Sequence, residues 1–259
     1  MQLSSDAVIL RVWPVNEADL IVSFLTRDFG KLKGVAKSAL KSRRRFGGAL
    51  EMMTEVRATF VDRPRQELVR IDHFELMASP LRAPVNYARM TALSFFAEVT
   101  EQALPDRNPE ELAFRLLTTV LDHATADHLW LSITYFSLWM TRLMGWLPDL
   151  NACTVCAASV LDSGAWFHPS ADGLRCRPHA MPASAALSPE SLQLAQQMLR
   201  CPIAEFAGQP WSAQRAADLR RFAIQALERH LERRLRTAEA LRRLSTSVAA
   251  SAPSRERLS

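Results

Sequence analysis

The sequence lacks the marks of an exported, membrane-bound or hydrolytic protein. Its N-terminus, MQLSSDAVIL, has no basic segment leading into a long apolar run, so no signal peptide is expected. Its most apolar stretch, Leu129 to Leu147, is interrupted by Ser132, Thr134, Ser137, Thr141 and Arg142, which predicts a buried amphipathic helix and not a bilayer span. Only four cysteines occur in 259 residues. Without an export signal the expected compartment is the cytoplasm, where thiols serve as metal ligands or core residues and not as disulfides. There is no G-x-S-x-G, no H-E-x-x-H and no carboxylate cluster suited to Mg2+. A Walker loop is excluded too, because only three residues separate Gly30 from Gly34 and Ala36 precedes Lys37. His123 and His128 are five apart and cannot share a helix face. The chain is therefore expected not to be an enzyme.

One absence is local. No acidic residue lies between Asp28 and Glu51, and the interval holds Lys31, Lys33, Lys37, Lys41, Arg43, Arg44 and Arg45. The net charge of the whole chain is only +5. An ordinary surface intersperses both signs, so an uncompensated run of cations points to a polyanionic partner. Lys31 and Lys33 alternate with apolar residues and share one face of an expected strand. Lys37 lies near its end, and Lys41 to Arg45 are expected on a mobile loop beyond it. A basic strand and loop suit a nucleic-acid backbone, and five phosphate contacts to a single strand give a salt slope of roughly −3.5. Phe29 and Phe46 are read as core anchors.

Residues 1–79 carry five short segments rich in β-branched and apolar residues, among them AVILRVWPV, KLKGVAK and MTEVRATFV, with turn signals between them. Five strands in about 75 residues predict a small antiparallel barrel, an OB-fold or its SH3-like competitor. The pattern becomes helical after Pro80 and Pro84. Helices are expected at about 87–104, 109–123, 127–146, 188–200 and 212–243, making an all-α domain over 80–244. The fold class is thus α+β and multidomain. The tail, 245–259, has too little apolar material to pack and is expected to be disordered.

The segment 150–182 interrupts the helices with CTVC and CRPH, a C-x2-C-x19-C-x2-H spacing. Two-residue gaps let tight turns aim paired side chains at one ion, and thiolate with imidazole is a donor set that zinc prefers. Cys153, Cys156, Cys176 and His179 are the expected ligands of one structural Zn2+. His168 is a rival fourth ligand that spoils the symmetric spacing, and Cys201 reads as a packed thiol. Four protein ligands leave no open position for catalysis.

The last helical pattern is rich in arginine, with Glu228, Glu232 and Glu239 interleaved. Charge pairing along the helix is the sober reading. Arg229, Arg233 and Arg236 are also candidates for docking an acidic partner. A zinc-stabilised protein-interaction adaptor without direct DNA binding is the alternative reading of the whole chain.

The order of these parts, with LTRDFGKLKGVAKSALKSRRRFGGAL, GWLPDLNACTVC, GLRCRPH and LERRLRTAEAL, resembles the RecO family of bacterial recombination mediators. The resemblance runs from about Asp6 to Leu244. It implies an OB-fold that contacts DNA and a helical domain carrying a zinc module. It implies binding of single- and double-stranded DNA, strand annealing without enzymatic turnover, and work with RecR and the acidic C-terminal tail of single-stranded DNA-binding protein to help load RecA. In that family the positions matching Lys31 through Arg45 lie in the DNA-binding domain, and those matching Cys153, Cys156 and Cys176 are metal ligands. The chain departs from the family pattern with His179 in place of a fourth cysteine, and with Asp172-Gly173 in place of a glycine pair.

Overall fold

The computed structural model describes residues 1–250 apart from 64, 83 and 85. The chain forms two compact units, Met1–Thr125 and Ala126–Ser259. The change from strands to helices at 79/80 is thus not where compaction divides the chain, because two helices pack with the barrel in the first unit.

In that unit strands β1 (Gln2–Pro14), β2 (Leu20–Thr26), β3 (Gly30–Ala36), β4 (Glu55–Val61) and β5 (Val69–Ala78) close a barrel in the order β1-β2-β3-β5-β4. All pairs are antiparallel except β3 with β5, which run parallel over Gly34–Ala36 and Val69–Ile71. This is the OB order, and it settles the choice against an SH3-like barrel. Period-two alternation puts Ile9, Val22, Phe24, Val56, Phe60 and Ile71 into one buried core. Phe24 meets Phe60 and Phe74 edge to face at 5.9 and 5.5 Å. Such pairs contribute about 0.5–1.5 kcal/mol beyond their buried area.

The β3–β4 connection plugs one end of the barrel. It is not an open loop: a 3-10 turn (Ala39–Lys41) leads into a short helix, α1 (Arg43–Phe46). Ala39, Phe46 and Ala49 enter the core, and Phe46 meets Phe74 at 5.9 Å. Burying Ala39, Phe46 and Ala49 leaves Lys41, Arg43 and Arg44 facing outward, beside an exposed Leu40. Phe29 is half-buried against Phe60, so both phenylalanines are anchors.

Helices α2 (Tyr87–Ala103) and α3 (Glu111–His123) complete the unit. Asn86 caps α2 by accepting the Arg89 N–H at 2.9 Å. The segment after α2 runs against β3, where the Arg107 N–H donates to the Lys31 carbonyl at 2.8 Å. Gly30 permits that approach. It has φ +71°, and a Cβ there would lie 2.2 Å from the Asn108 carbonyl oxygen.

In the second unit, α4 (Leu129–Leu143) is buried on nearly every side and is not the amphipathic helix its polar residues suggest. Thr134, Ser137 and Thr141 satisfy their hydroxyls on carbonyls four residues back, at 2.6–2.7 Å. The helix packs with α6 (Ala217–His230). Between them in sequence come the hairpin β6 (Ala165–Phe167) and β7 (Ala185–Leu187), then α5 (Pro189–Met198). The single helix expected over 212–243 is two. Glu232 takes φ 53°, and α7 (Arg236–Ala250) starts afresh after it. Helix α7 runs into the segment expected to be disordered from 245, and residues 251–259 lie outside the described residues.

Candidate nucleic-acid interface and metal centre

The seven predicted cations do not form one equivalent set. Lys31 is buried, 5 % exposed, with its ammonium bonded to the Glu101 carbonyl and 3.2 Å from Asp106. It is an internal charge and is withdrawn from the phosphate-binding set. Lys33 is half-buried and pairs with the other Asp106 oxygen at 3.3 Å. Arg45 donates to the Lys37 carbonyl at 2.5 Å and to Ser42 Oγ at 3.1 Å, and lies over the Phe46 ring at 5.0 Å. It holds the plug together. Lys37, Lys41, Arg43 and Arg44 are exposed and form no ion pair among the described residues.

These four share the outer surface of the plug. Its entry is fixed to the β1–β2 turn: the Ser38 N–H donates to Asp19 Oδ1 at 2.7 Å and the Leu40 N–H to the Ala18 carbonyl at 3.2 Å. The Ser38 bond is the main cause holding the Asp19 carboxyl below its ordinary value, with Lys37 a lesser one. The surface is therefore cationic, pre-formed and anchored, with Asp19 on its edge.

Asp106 is pushed up by burial, yet Lys31 and Lys33 overcome this and leave it below its usual 3.8. A depressed folded value means stability present above the unfolded pKa, about 3.9, and lost as pH falls through the folded one. Asp106→Asn should thus lower the unfolding free energy at pH 7, read by denaturant titration, by about 1 kcal/mol given solvent screening of a half-exposed group. The gap from wild type should narrow as pH falls below the unfolded value of about 3.9. An equal gap at pH 7 and pH 3 would contradict the pairing.

In the second unit Cys153, Cys156, Cys176 and His179 converge, their donor atoms all within 4.8 Å of one another. Cys156 Sγ lies 3.7 Å from Cys176 Sγ, and His179 Nδ1 lies 3.8 and 3.1 Å from Cys153 Sγ and Cys176 Sγ. A tetrahedral zinc with ligands at about 2.0–2.3 Å sets such atoms about 3.5–3.8 Å apart, so the donor set fits. The knuckle is local chemistry: the Ala157 N–H closes on the Cys153 carbonyl at 2.8 Å, and Ala157 takes φ 58°. Burial raises the Cys153 thiol, but backbone N–H groups of Cys176, Val155 and Cys156 outweigh it and bring the thiol down to about 6. Burial and the neighbouring thiols push Cys176 up. His168 bonds Ser170 Oγ at 2.8 Å and is not part of the cluster.

The Cys153 and Cys176 arms meet at Gly173. It has φ +76°, and a Cβ there would lie 2.2 Å from Thr154 Cγ2. Gly173→Ala should weaken metal retention, since the left-handed backbone alone costs about 1–2 kcal/mol. Competition with a chromogenic chelator checks this, and unchanged retention would contradict it.

Arg229 was a docking candidate, but it is spent inside the fold. It donates to the Ala171 carbonyl at 2.6 Å and to Asp172. Asp172 thus ties the Cys176 arm of the cluster to α6. Arg233 lies in the turn between α6 and α7, exposed, and Arg236 opens α7. Both line a groove of about 880 Å³ with Arg234, Leu235 and Pro169. Arg220, one of the arginines of the last helical pattern, is a core residue. It donates to Thr134 Oγ1 at 3.1 Å and covers the Trp130 ring at 4.6 Å, and burial lowers its pKa to about 10.

Two family models match the chain: one described as Recombination protein O N terminal over residues 1–80, and one as Recombination protein O C terminal over residues 84–239. A protein of Koribacter versatilis named DNA repair protein RecO is 51 % identical over 244 residues, covering 94 % of this chain and all of that protein. One of the same name from Anaeromyxobacter sp. (strain Fw109-5) is 31 % identical over 242 residues, covering 90 % and 93 %. Another from Bifidobacterium adolescentis is 28 % identical over 242 residues, covering 91 % and 97 %. Among the described residues no helix is long and apolar enough to cross a membrane.

Proposed function

The chain belongs to the RecO family of DNA repair and recombination proteins, and on that premise we propose that it is a non-enzymatic mediator that grips DNA through the plug of its barrel. The observation that carries this is the set of four exposed cations, Lys37, Lys41, Arg43 and Arg44, which form no ion pair among the described residues, on a surface anchored from beneath by Phe46. Four phosphate contacts release counterions with a salt slope of about −2.8 on single strands. Contacts of this kind carry no sequence information. They neutralise either of two strands, lower the repulsion between them and so favour annealing in the cytoplasm, where the recombination substrates are.

The metal centre is proposed to hold one structural Zn2+, with Cys153, Cys156, Cys176 and His179 as ligands. The zinc would fold the 150–182 segment; all four ligand positions being protein, it has no place in chemistry on DNA. RecR, the acidic tail of single-stranded DNA-binding protein and, indirectly, RecA are proposed as partners on the family resemblance alone. The groove beside Arg233, Arg234 and Arg236 is the candidate for the acidic tail.

Annealing of complementary labelled strands without ATP tests the reading. The expected result is acceleration at low salt that fades as salt rises. Zinc-replete protein that neither binds strands nor speeds their pairing would instead be the interaction adaptor.

A further inference from the structure

The outer face of β2 and β3 is where OB-folds receive oligonucleotides, and within this unit the described residues cover one end of it. Its exposed character rises along β3. Lys31 is buried beneath Asp106 and the Glu101 carbonyl, Lys33 is half-buried against Asp106, and Val35 is half-buried with Lys37 exposed beyond it. On β2, Ser23 donates to Glu101 at 2.5 Å. The end of α2 and the residues after it thus close the half of the face near Lys31.

The other half is a row across four strands. Trp13 on β1 pairs with Ile21 on β2, Ile21 with Val35 on β3, and Val35 with Arg70 on β5. Strand alternation turns this row outward, since its neighbours Val22 and Ala36 are fully buried in the core. Trp13, Ile21 and Val35 are half-buried and Arg70 is exposed. Arg11 is exposed, with its guanidinium 5.3 Å from the centroid of the Trp13 ring. The row adjoins the plug: Lys37 lies two residues beyond Val35, and Pro14 ends β1 just before the turn whose Ala18 carbonyl accepts the Leu40 N–H.

We propose that Trp13 is a stacking platform for one unpaired nucleobase, with Ile21 and Val35 as its apolar floor. This rests on the reading that the plug binds DNA. A strand whose phosphates lie on Lys37 and the plug has its next bases over this row. A base and the Arg11 guanidinium compete for the same kind of π-face, and the guanidinium so displaced remains beside a phosphate. Arg70 is paired with Asp72 at 3.1 Å and Lys33 with Asp106, so Arg11 and Lys37 are the cations of the row that have no carboxylate partner among the described residues. A duplex keeps its bases stacked on each other and gains nothing from Trp13. The platform therefore makes the site prefer single strands, which charge alone does not.

The test is fluorescence anisotropy with a labelled thymidine oligonucleotide, an abasic strand of the same length and a duplex, on wild type, Trp13→Ala and Trp13→Phe. The expected result is a five- to hundredfold weaker binding of the thymidine strand by Trp13→Ala, the worth of one base–aromatic stack. Duplex and abasic-strand affinities should stay within about twofold, and Trp13→Phe should recover most of the loss. Equal losses on all three ligands would make Trp13 a structural residue and overturn the proposal, as would an unchanged thymidine-strand affinity. Wild type that ignores all three ligands would sink the DNA-binding reading itself and this proposal with it.

Discussion

Cys153→Ala protein is expected to retain no zinc, against one ion per wild-type chain by elemental analysis, and to lose the ordered structure of residues 150–182. Around the cluster the segment buries a small apolar set, Val160, Phe167 and Leu174 among it, with Phe167 edge to face on Phe222 of α6. Its two arms are joined by single backbone bonds, such as Thr154 N–H to the Leu174 carbonyl at 2.9 Å, and by the three-residue strands β6 and β7. Zinc binding by small finger peptides is worth about 10–16 kcal/mol near neutral pH, which matches the whole stability of many domains, about 5–15 kcal/mol. Amide exchange should therefore show the module opening first. Loss should spread to α6, because Arg229 and Asp172 tie the module to it. His179→Cys should keep one zinc, since thiolate replaces imidazole in the same tetrahedron, and His168→Ala should change nothing. Full metal content in Cys153→Ala would contradict the assignment.

Replacing Lys37, Lys41, Arg43 and Arg44 together with glutamine should weaken binding of any oligonucleotide by roughly two to three orders of magnitude at 0.1 M salt, about 0.7 of a decade per lost phosphate contact. The loss should be uniform across sequences, because phosphates position and do not specify. Folding should be untouched, since the four side chains are exposed and the barrel is plugged by Ala39, Phe46 and Ala49. Lys31→Gln gives the opposite pattern: it strips a buried charge from Asp106 and destabilises the barrel without removing a phosphate contact. Equal binding losses in the two proteins would mean that the exposure of these cations does not govern binding.

The two halves of the chain differ in how openly the sequence displays them. The Cys153, Cys156, Cys176 and His179 cluster was legible because its geometry is local: two-residue gaps and tight turns need nothing from elsewhere. The barrel strands were legible for a similar reason, period-two alternation. The fate of each lysine was not. Lys31 and Lys33 share one strand face and one pattern, yet the cover that separates them comes from Glu101 and Asp106, some seventy residues away. The plug read as a loop because four residues of helix give no periodicity, although Phe46 among three arginines marked an inward position. The break between α6 and α7 carries no glycine or proline; Glu232 turns with φ 53° and the Leu235 N–H bonds Glu228. Trp13 escaped notice because a tryptophan in a strand is ordinarily read as core, and only the four-strand register shows that it faces outward.

The central claim is that a barrel plug with four exposed cations lies against nucleotide phosphates. The most direct measurement is the slope of log binding constant against log salt on one labelled single strand, for wild type and for the protein neutralised at Lys37, Lys41, Arg43 and Arg44. A wild-type slope near −2.8 or steeper, flattened by about 2.8 in the variant, is the predicted result. Two parallel lines would show that DNA is held elsewhere on the molecule.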